Sequence, residues 1–155
     1  MTKNGTILIV DDAPANIKIL GQTLCDDYVI QVANNGRDAL KIAFSDNKPD
    51  LILLDIVMPE MDGYEVCKKL KQNETTNGIP VIFITAKSDD EDEIKGLELG
   101  AVDYFIKPFN IIIVKNRVKA YIELVKHQEI MQKVRDDCFA TIDDIKSCYE
   151  DMVQV

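Results

Sequence analysis

Residues Leu51–Gly63 read L-I-L-L-D-I-V-M-P-E-M-D-G, and this stretch decides the fold. Four consecutive aliphatic residues run into a carboxylate, Asp55, and the chain then breaks at Pro59 and Gly63. An apolar run of this length between turn residues fits a strand buried on both faces of a parallel sheet. Its last residue would sit at the carboxyl edge of the sheet, where open α/β folds place their ligands. Burying an acid there carries a desolvation cost that needs compensation from its neighbours.

Further runs of the same kind flank it. Thr6–Val10 (T-I-L-I-V) ends in Asp11-Asp12, Val81–Ile84 (V-I-F-I) ends in Thr85, and Asp103–Ile106 ends in Lys107-Pro108. Tyr28–Val32 is a shorter strand candidate. Between them lie segments with helical spacing. Pro14 suits the first turn of a helix carrying Ile17, Leu20 and Leu24. A second helix after Asn34-Asn35-Gly36 carries Ala39, Leu40, Ile42 and Ala43, and a third after Gly63 carries Val66, Cys67 and Leu70. The acidic run from Ser88 to Glu93 opens a fourth, carrying Ile94, Leu97 and Leu99 and closing at Gly100. A long helix begins near Asn110. Five βα repeats predict an α/β fold, a doubly wound parallel sheet of five strands with an extended C-terminal helix.

In such a sheet every strand's carboxyl end lies on one edge, so Asp11, Asp12, Asp55, Thr85 and Lys107 converge. Three carboxylates close together repel, and one would take up a proton unless a cation compensates. Mg²⁺ or Mn²⁺ suits the set, because a hard cation accepts one or two carboxylates and keeps several waters. Asp12 and Asp55 would bind it directly, Asp11 directly or through water, and a backbone carbonyl just beyond Asp55 would add to the protein's share. A lysine and a hydroxyl beside such a metal suit phosphoryl transfer, with Asp55 as the nucleophile that becomes an aspartyl phosphate. The cation and Lys107 would neutralise the phosphoryl oxygens while Thr85 donates to one of them.

These motifs together (D-D, L-L-D-I-V-M-P-E-M-D-G, I-T-A and Y-F-I-K-P-F) resemble the receiver domain of two-component response regulators, the CheY-like superfamily, over roughly Thr6–Val125. The resemblance implies strand order 2-1-3-4-5 and phosphorylation of Asp55 from a phosphohistidine on a sensor histidine kinase or phosphotransfer protein. It also implies metal ligation by Asp11, Asp12, Asp55 and the Val57 carbonyl. Thr85 would be the switch hydroxyl, Ala86 would donate a backbone N–H to the phosphoryl group, and Lys107 would bind it. The Lys107-Pro108 bond would be cis. Tyr104 falls on an aromatic switch position, though it fits core packing equally well. Val57 and Lys87 fall on positions that tune dephosphorylation. Such a protein is not an enzyme beyond assisting its own phosphorylation and dephosphorylation.

The remaining features bound the reading. The chain has 155 residues, room for a receiver at 1–125 and a helical extension at 126–155. A net charge of −9 argues against binding nucleic-acid phosphates or anionic membranes. No membrane-length apolar segment and no secretory leader are evident, which points to the cytoplasm. The cysteines Cys25, Cys67, Cys138 and Cys148 form no metal or disulfide pattern and read as reduced thiols in buried packing. His127 reads as a surface residue.

Val114, Val118, Ile122 and Val125 make a packing stripe for the last helix. Beyond it, Met131, Cys138, Ile142, Ile145, Tyr149 and Met152 follow a three-four pattern that Arg135 interrupts. A helix with such a stripe either folds back on its own domain or forms a homodimer as a signalling helix. In the resembled family, similar extensions often precede enzymes that make or degrade cyclic-di-GMP.

Two rival classes and one variant bear comparison. Haloacid-dehalogenase-like phosphohydrolases use D-x-D, but Val57 stands where the second acid belongs. No glycine-rich nucleotide loop follows any strand. A degenerate receiver acting mainly as a dimerisation module is the alternative within the same fold.

Overall fold

The computed structural model describes residues 2–86 and 90–153, and within these the side chains of 90–93, 139, 148, 151 and 153 are left aside. The elements run β1 (Thr6–Val10), α1 (Pro14–Leu24), β2 (Val29–Ala33), α2 (Gly36–Ala43), β3 (Leu51–Asp55), α3 (Gly63–Lys71), β4 (Val81–Thr85), α4 (Asp90–Glu98), β5 (Asp103–Ile106) and α5 (Ile111–Val153). All strand pairs are parallel, in the order β2-β1-β3-β4-β5. The expected α/β class and strand order are therefore present. β2 lies one residue later than its sequence pattern placed it.

Two-residue periodicity sorts the strand side chains into two apolar layers. Leu8, Val10, Ile52, Leu54, Val81 and Phe83 pack with Ala39 and Ala43 of α2 and Val66, Cys67 and Leu70 of α3. Ile7, Ile9, Leu51, Leu53, Ile82 and Ile84 pack on the opposite face with Leu20 and Leu24 of α1 and Val114, Val118 and Ile122 of α5. β1 and β3 are apolar without alternation because helices cover both of their faces.

Local chemistry sets the helix ends. Asn35 caps α2 by accepting from Asp38 N at 2.8 Å, and Asp62 caps α3 by accepting from Glu65 N at 2.9 Å. Asn110 accepts from the backbone N–H groups of Ile112 and Ile113 at the start of α5. Gly100, at φ +101°, closes α4 in a Schellman arrangement, with Ala101 N donating to Gly96 O and Gly100 N to Leu97 O.

Two expectations need correction. Ile94 and Leu97 of α4 are exposed, and it is the buried Gly96 that lies against the sheet, where a Cβ would come within 2.8 Å of Phe83 Cδ2. A side chain there would hold the helix off the sheet, so α4 uses backbone rather than its aliphatic residues for close packing. Cys25 and Cys138 are exposed rather than packed inside, and only Cys67 is buried among the described thiols. Their positions at the end of α1 and on the outer part of α5 explain this. The readings attached to Lys87, Ser88 and Asp89 fall outside the described residues, as does the side chain of Cys148.

The chain divides into two compact units, Met1–Ile122 and Glu123–Val155. In the second, Leu124, Ile130, Met131, Val134, Ile142, Ile145, Tyr149 and Met152 are all exposed, as is His127. Among the described residues no helix is long and apolar enough to cross a membrane.

Leu53 lies in the central strand with no exposed surface. Leu53→Ala is expected to cost about 3 kcal/mol from lost transfer energy and a residual cavity. Urea denaturation of the two proteins would measure it as a lowered midpoint at unchanged m-value.

Candidate functional site

The parallel sheet brings the ends of β1, β3, β4 and β5 to one edge, and this edge holds the polar residues singled out by the sequence. Asp11 follows β1 and has 0% exposed surface, and Asp55 ends β3 at 4%. Asp12 is exposed beside them. Each of the three offers a carboxylate oxygen within 4.8 Å of the other two.

Lys107, just past β5, reaches into this cluster. Its Nζ lies 3.3 Å from Asp11 Oδ2 and 3.5 Å from Asp55 Oδ1, with 24% of its side chain exposed. One ammonium thus serves two buried carboxylates. Asp11 Oδ1 also accepts from Ala13 N at 2.9 Å, which ties the acid to the entry of α1. Asp11 Oδ2 has no donor in hydrogen-bonding geometry despite the nearby lysine. An orphaned, buried carboxylate oxygen is costly and marks a place for an additional positive group.

Electrostatics give the same picture. Burial and then the neighbouring Asp11 carboxylate push the Asp55 carboxyl from 3.8 up to about 6, against which the Lys107 charge pulls down. The lysine alone therefore undercompensates two acids. An all-oxygen donor set with an orphaned lone pair fits a hard divalent cation such as Mg²⁺ or Mn²⁺, not a soft metal.

The β3–α3 loop is built around the same carboxylate. Ile56 N donates to Ile84 O at 3.2 Å, and Gly63 N returns to Ile56 O at 2.8 Å. Glu60 turns through the left-handed region at φ 67°. A Cβ on Gly63 would collide with the Asp55 carbonyl oxygen and come within 2.9 Å of Ile56 Cα. Only glycine lets α3 start this close to the acid. Sequence reading took Gly63 as a turn residue and missed this contact; the adjacent D-G pair was its only signal.

The other candidates are distributed as follows. Val57 is 78% exposed in the loop beyond Asp55. Thr85 ends β4 half-buried, and Ala86 follows it at the surface. Tyr104 on β5 is half-buried and packs against the α2–α3 side of the core, while its backbone N donates to Asp103 Oδ1 at 2.8 Å. The Lys107-Pro108 peptide is cis.

Sheet and edge together place the chain in the class of doubly wound α/β proteins with a polar site at the carboxyl ends of the strands. Residues 7–119 match the model of the response regulator receiver domain, and the chain belongs to that family. It is 49% identical over 131 residues to a probable cyclic di-GMP phosphodiesterase of Vibrio cholerae, covering 84% of this chain and 30% of the relative. It is 45% identical to the response regulator PleD of Caulobacter vibrioides, covering 74% of this chain and 25% of that protein. The chemotaxis response regulator CheY4 of Vibrio cholerae superposes with a TM-score of 0.71 at 28% identity, covering 77% of this chain and 99% of that one. The chain spans less than a third of the length of either of these two curated relatives.

The raised Asp55 carboxyl makes a prediction about the metal-free protein. Its contribution to stability is complete below pH 3.8 and is lost as pH rises through about 6. Asp55→Asn, which cannot carry the buried charge, is therefore expected to exceed the wild type at pH 7.5 by roughly 2–3 kcal/mol. The gap should close near pH 4. Thermal melts in chelator across this range test it, and an advantage independent of pH would contradict the assignment.

Proposed function

We propose that the chain is a phosphorylation-controlled signalling switch in which Asp55 receives a phosphoryl group from a phosphohistidine of a partner histidine kinase or phosphotransfer protein. Membership of the receiver family supports the class. The observation that carries the assignment to this edge is the convergence of Asp11, Asp12, Asp55 and Lys107, with Asp11 Oδ2 orphaned.

In this reading an Asp55 carboxylate oxygen attacks phosphorus in line, the new O–P bond forms as the N–P bond breaks, and the electron pair leaves with the imidazole nitrogen. Asp11, Asp12, Asp55 and the Val57 carbonyl would hold Mg²⁺ or Mn²⁺, which when bound offsets negative charge on the phosphoryl oxygens. Lys107 exchanges part of its pairing with Asp11 and Asp55 for a phosphoryl oxygen. Thr85 and the Ala86 N–H donate to the others, and movement of Thr85 toward the phosphoryl group is what Tyr104 would sense. The protein assists only its own phosphorylation and dephosphorylation.

Residues 1–125 serve as the receiver and 126–155 as an extension that pairs with a second copy. The apolar residues exposed along Glu123–Val155 support the pairing. Similarity to the cyclic di-GMP phosphodiesterase covers 84% of the chain, whereas only six residues precede the receiver match and that match stops at 119. The shared region must therefore run into the extension, which supports receiver plus helix as a regulatory unit in cyclic di-GMP signalling. The net charge of −9 and the absence of a membrane-length apolar helix among the described residues support a cytoplasmic protein that binds neither nucleic acid nor membrane.

Incubation with Mg²⁺ and acetyl phosphate is expected to yield one acid-labile phosphoryl adduct per chain, and beryllofluoride should bind in its place with a change in tyrosine fluorescence. Asp55→Asn should abolish both, because an amide is neither a competent nucleophile nor an anionic ligand. Lys107→Ala should slow adduct formation by at least about tenfold. Failure of the wild type to form an adduct or bind beryllofluoride would leave the degenerate dimerisation module as the better reading. Continuous release of phosphate would instead indicate a phosphohydrolase.

A further inference from the structure

We infer, resting on the proposed switching at Asp55, that Asp103 is the positioning residue that fixes α5 on β5 and through which a shift of β5 reaches the extension. β5 is an edge strand, hydrogen-bonded to β4 alone. It carries Tyr104 and leads into Lys107, which bridges the two buried acids. Phe105 of β5 shares a buried apolar cluster with Val114, Val118 and Ile122 of α5. Apolar contact is non-directional, so it holds a helix against a sheet without fixing where the helix sits along its own axis.

Directional bonds fix that position, and they converge on one carboxylate. Asp103 Oδ1 accepts from Arg117 Nη1 at 3.2 Å and from the Tyr104 backbone N at 2.8 Å. Tyr121 Oη lies 3.1 Å from Asp103 Oδ2 and 3.2 Å from Val102 O, so its one proton has an acceptor on the strand side in either direction. Arg117 Nη1 also approaches Tyr104 O at 3.5 Å, and its guanidinium stands 6.0 Å from the centre of the Phe105 ring. An exposed Arg–Asp pair by itself holds little. Here the acid is only 17% exposed and the second donor, Tyr121, is half-buried. Burial, and then the Asp103 charge, push the Tyr121 hydroxyl above its ordinary range, so it stays protonated and donating. Arg117 and Tyr121 are four residues apart and stand on one helix face, one turn from each other. Sliding α5 by a single residue, about 1.5 Å, would misalign all of these bonds at once.

α5 runs without interruption from Ile111 to Val153, and Tyr121 stands two residues before Glu123, where the second unit begins. The bonds to Asp103 therefore hold the last turn of α5 that belongs to the first unit. They fix the base from which the exposed apolar seam of Glu123–Val155 continues. When phosphorylation draws on Lys107 and the end of β5, Asp103 obliges α5 to follow, instead of letting the strand shift beneath a stationary helix.

The test compares the full 155-residue chain with Asp103→Ala, which removes the shared acceptor, and with Tyr121→Phe, which removes one hydroxyl and keeps the ring. Calorimetry in Mg²⁺ measures beryllofluoride binding, and sedimentation equilibrium measures association with and without it. In the wild type, beryllofluoride is expected to shift the dimer dissociation constant at least about fivefold. Asp103→Ala should bind beryllofluoride as the wild type does yet show no such shift, and Tyr121→Phe should show a smaller one. A merely structural role would alter the dimer equally in both states and leave the shift intact. A shift of wild-type size in Asp103→Ala, or in Tyr121→Phe should the alanine variant not fold, overturns the inference. So does a wild type whose association is unchanged by bound beryllofluoride. Beryllofluoride that does not bind at all refutes the reading of Asp55 itself, and this coupling with it.

Discussion

Sharing one ammonium between two buried carboxylates is the constraint on which the rest of this structure depends. Lys107 stands 3.3 Å from Asp11 and 3.5 Å from Asp55, with Asp11 fully buried and Asp55 only 4% exposed. A single positive charge cannot satisfy both, so burial and mutual repulsion keep the Asp55 carboxyl raised to about 6. The imbalance is a stored demand for positive charge at one place. A divalent cation meets that demand directly. In the proposed phosphorylated state the added phosphoryl oxygens would raise that demand and move it outward from Asp55, which would give a local chemical event a means of drawing the lysine and the neighbouring strand ends toward it.

The architecture makes that crowding possible. Parallel β1, β3, β4 and β5 all terminate on the same edge, and each can project a polar residue there while its body stays in an apolar layer. Helices on both faces exclude solvent from the strand bodies, so the edge is where ligands meet side chains drawn from distant parts of the sequence. Gly63 tightens the arrangement by letting α3 begin against the Asp55 carbonyl, and the loop between them is closed by the hydrogen bond from Gly63 to Ile56. The acid is held by backbone that has little freedom to relax.

Much of this was legible in the sequence because strand ends are signalled by abrupt changes in residue type. L-I-L-L-D and T-I-L-I-V-D-D mark where an apolar layer stops and an edge begins, so fold class and the grouping of Asp11, Asp12, Asp55 and Lys107 follow from pattern. What did not follow depends on packing across elements. Nothing in the run around Gly96 says that its missing side chain, not Ile94 or Leu97, accommodates Phe83. Nothing in D-G says that a Cβ would strike the Asp55 carbonyl. The bridging of Lys107 to Asp11 as well as Asp55 is likewise a three-dimensional fact, since the residues lie far apart in sequence and the lysine had equal license to address one acid. The exposure of Cys25 and Cys138 was missed because thiols are usually buried, and composition carried no contrary signal.

The two units meet the requirement to bury apolar surface in different ways. In Met1–Ile122 the sheet and its helices satisfy it internally, with Val114, Val118 and Ile122 closing the layer beneath α5. In Glu123–Val155 the aliphatic and aromatic residues of the seam are exposed, and a helix of that kind gains little stability from its own hydrogen bonds. Its order therefore depends on what covers it, so its helicity and its association are linked equilibria. Under the proposed function, such a segment would be where a phosphorylation event at Asp55 is read as a change in association.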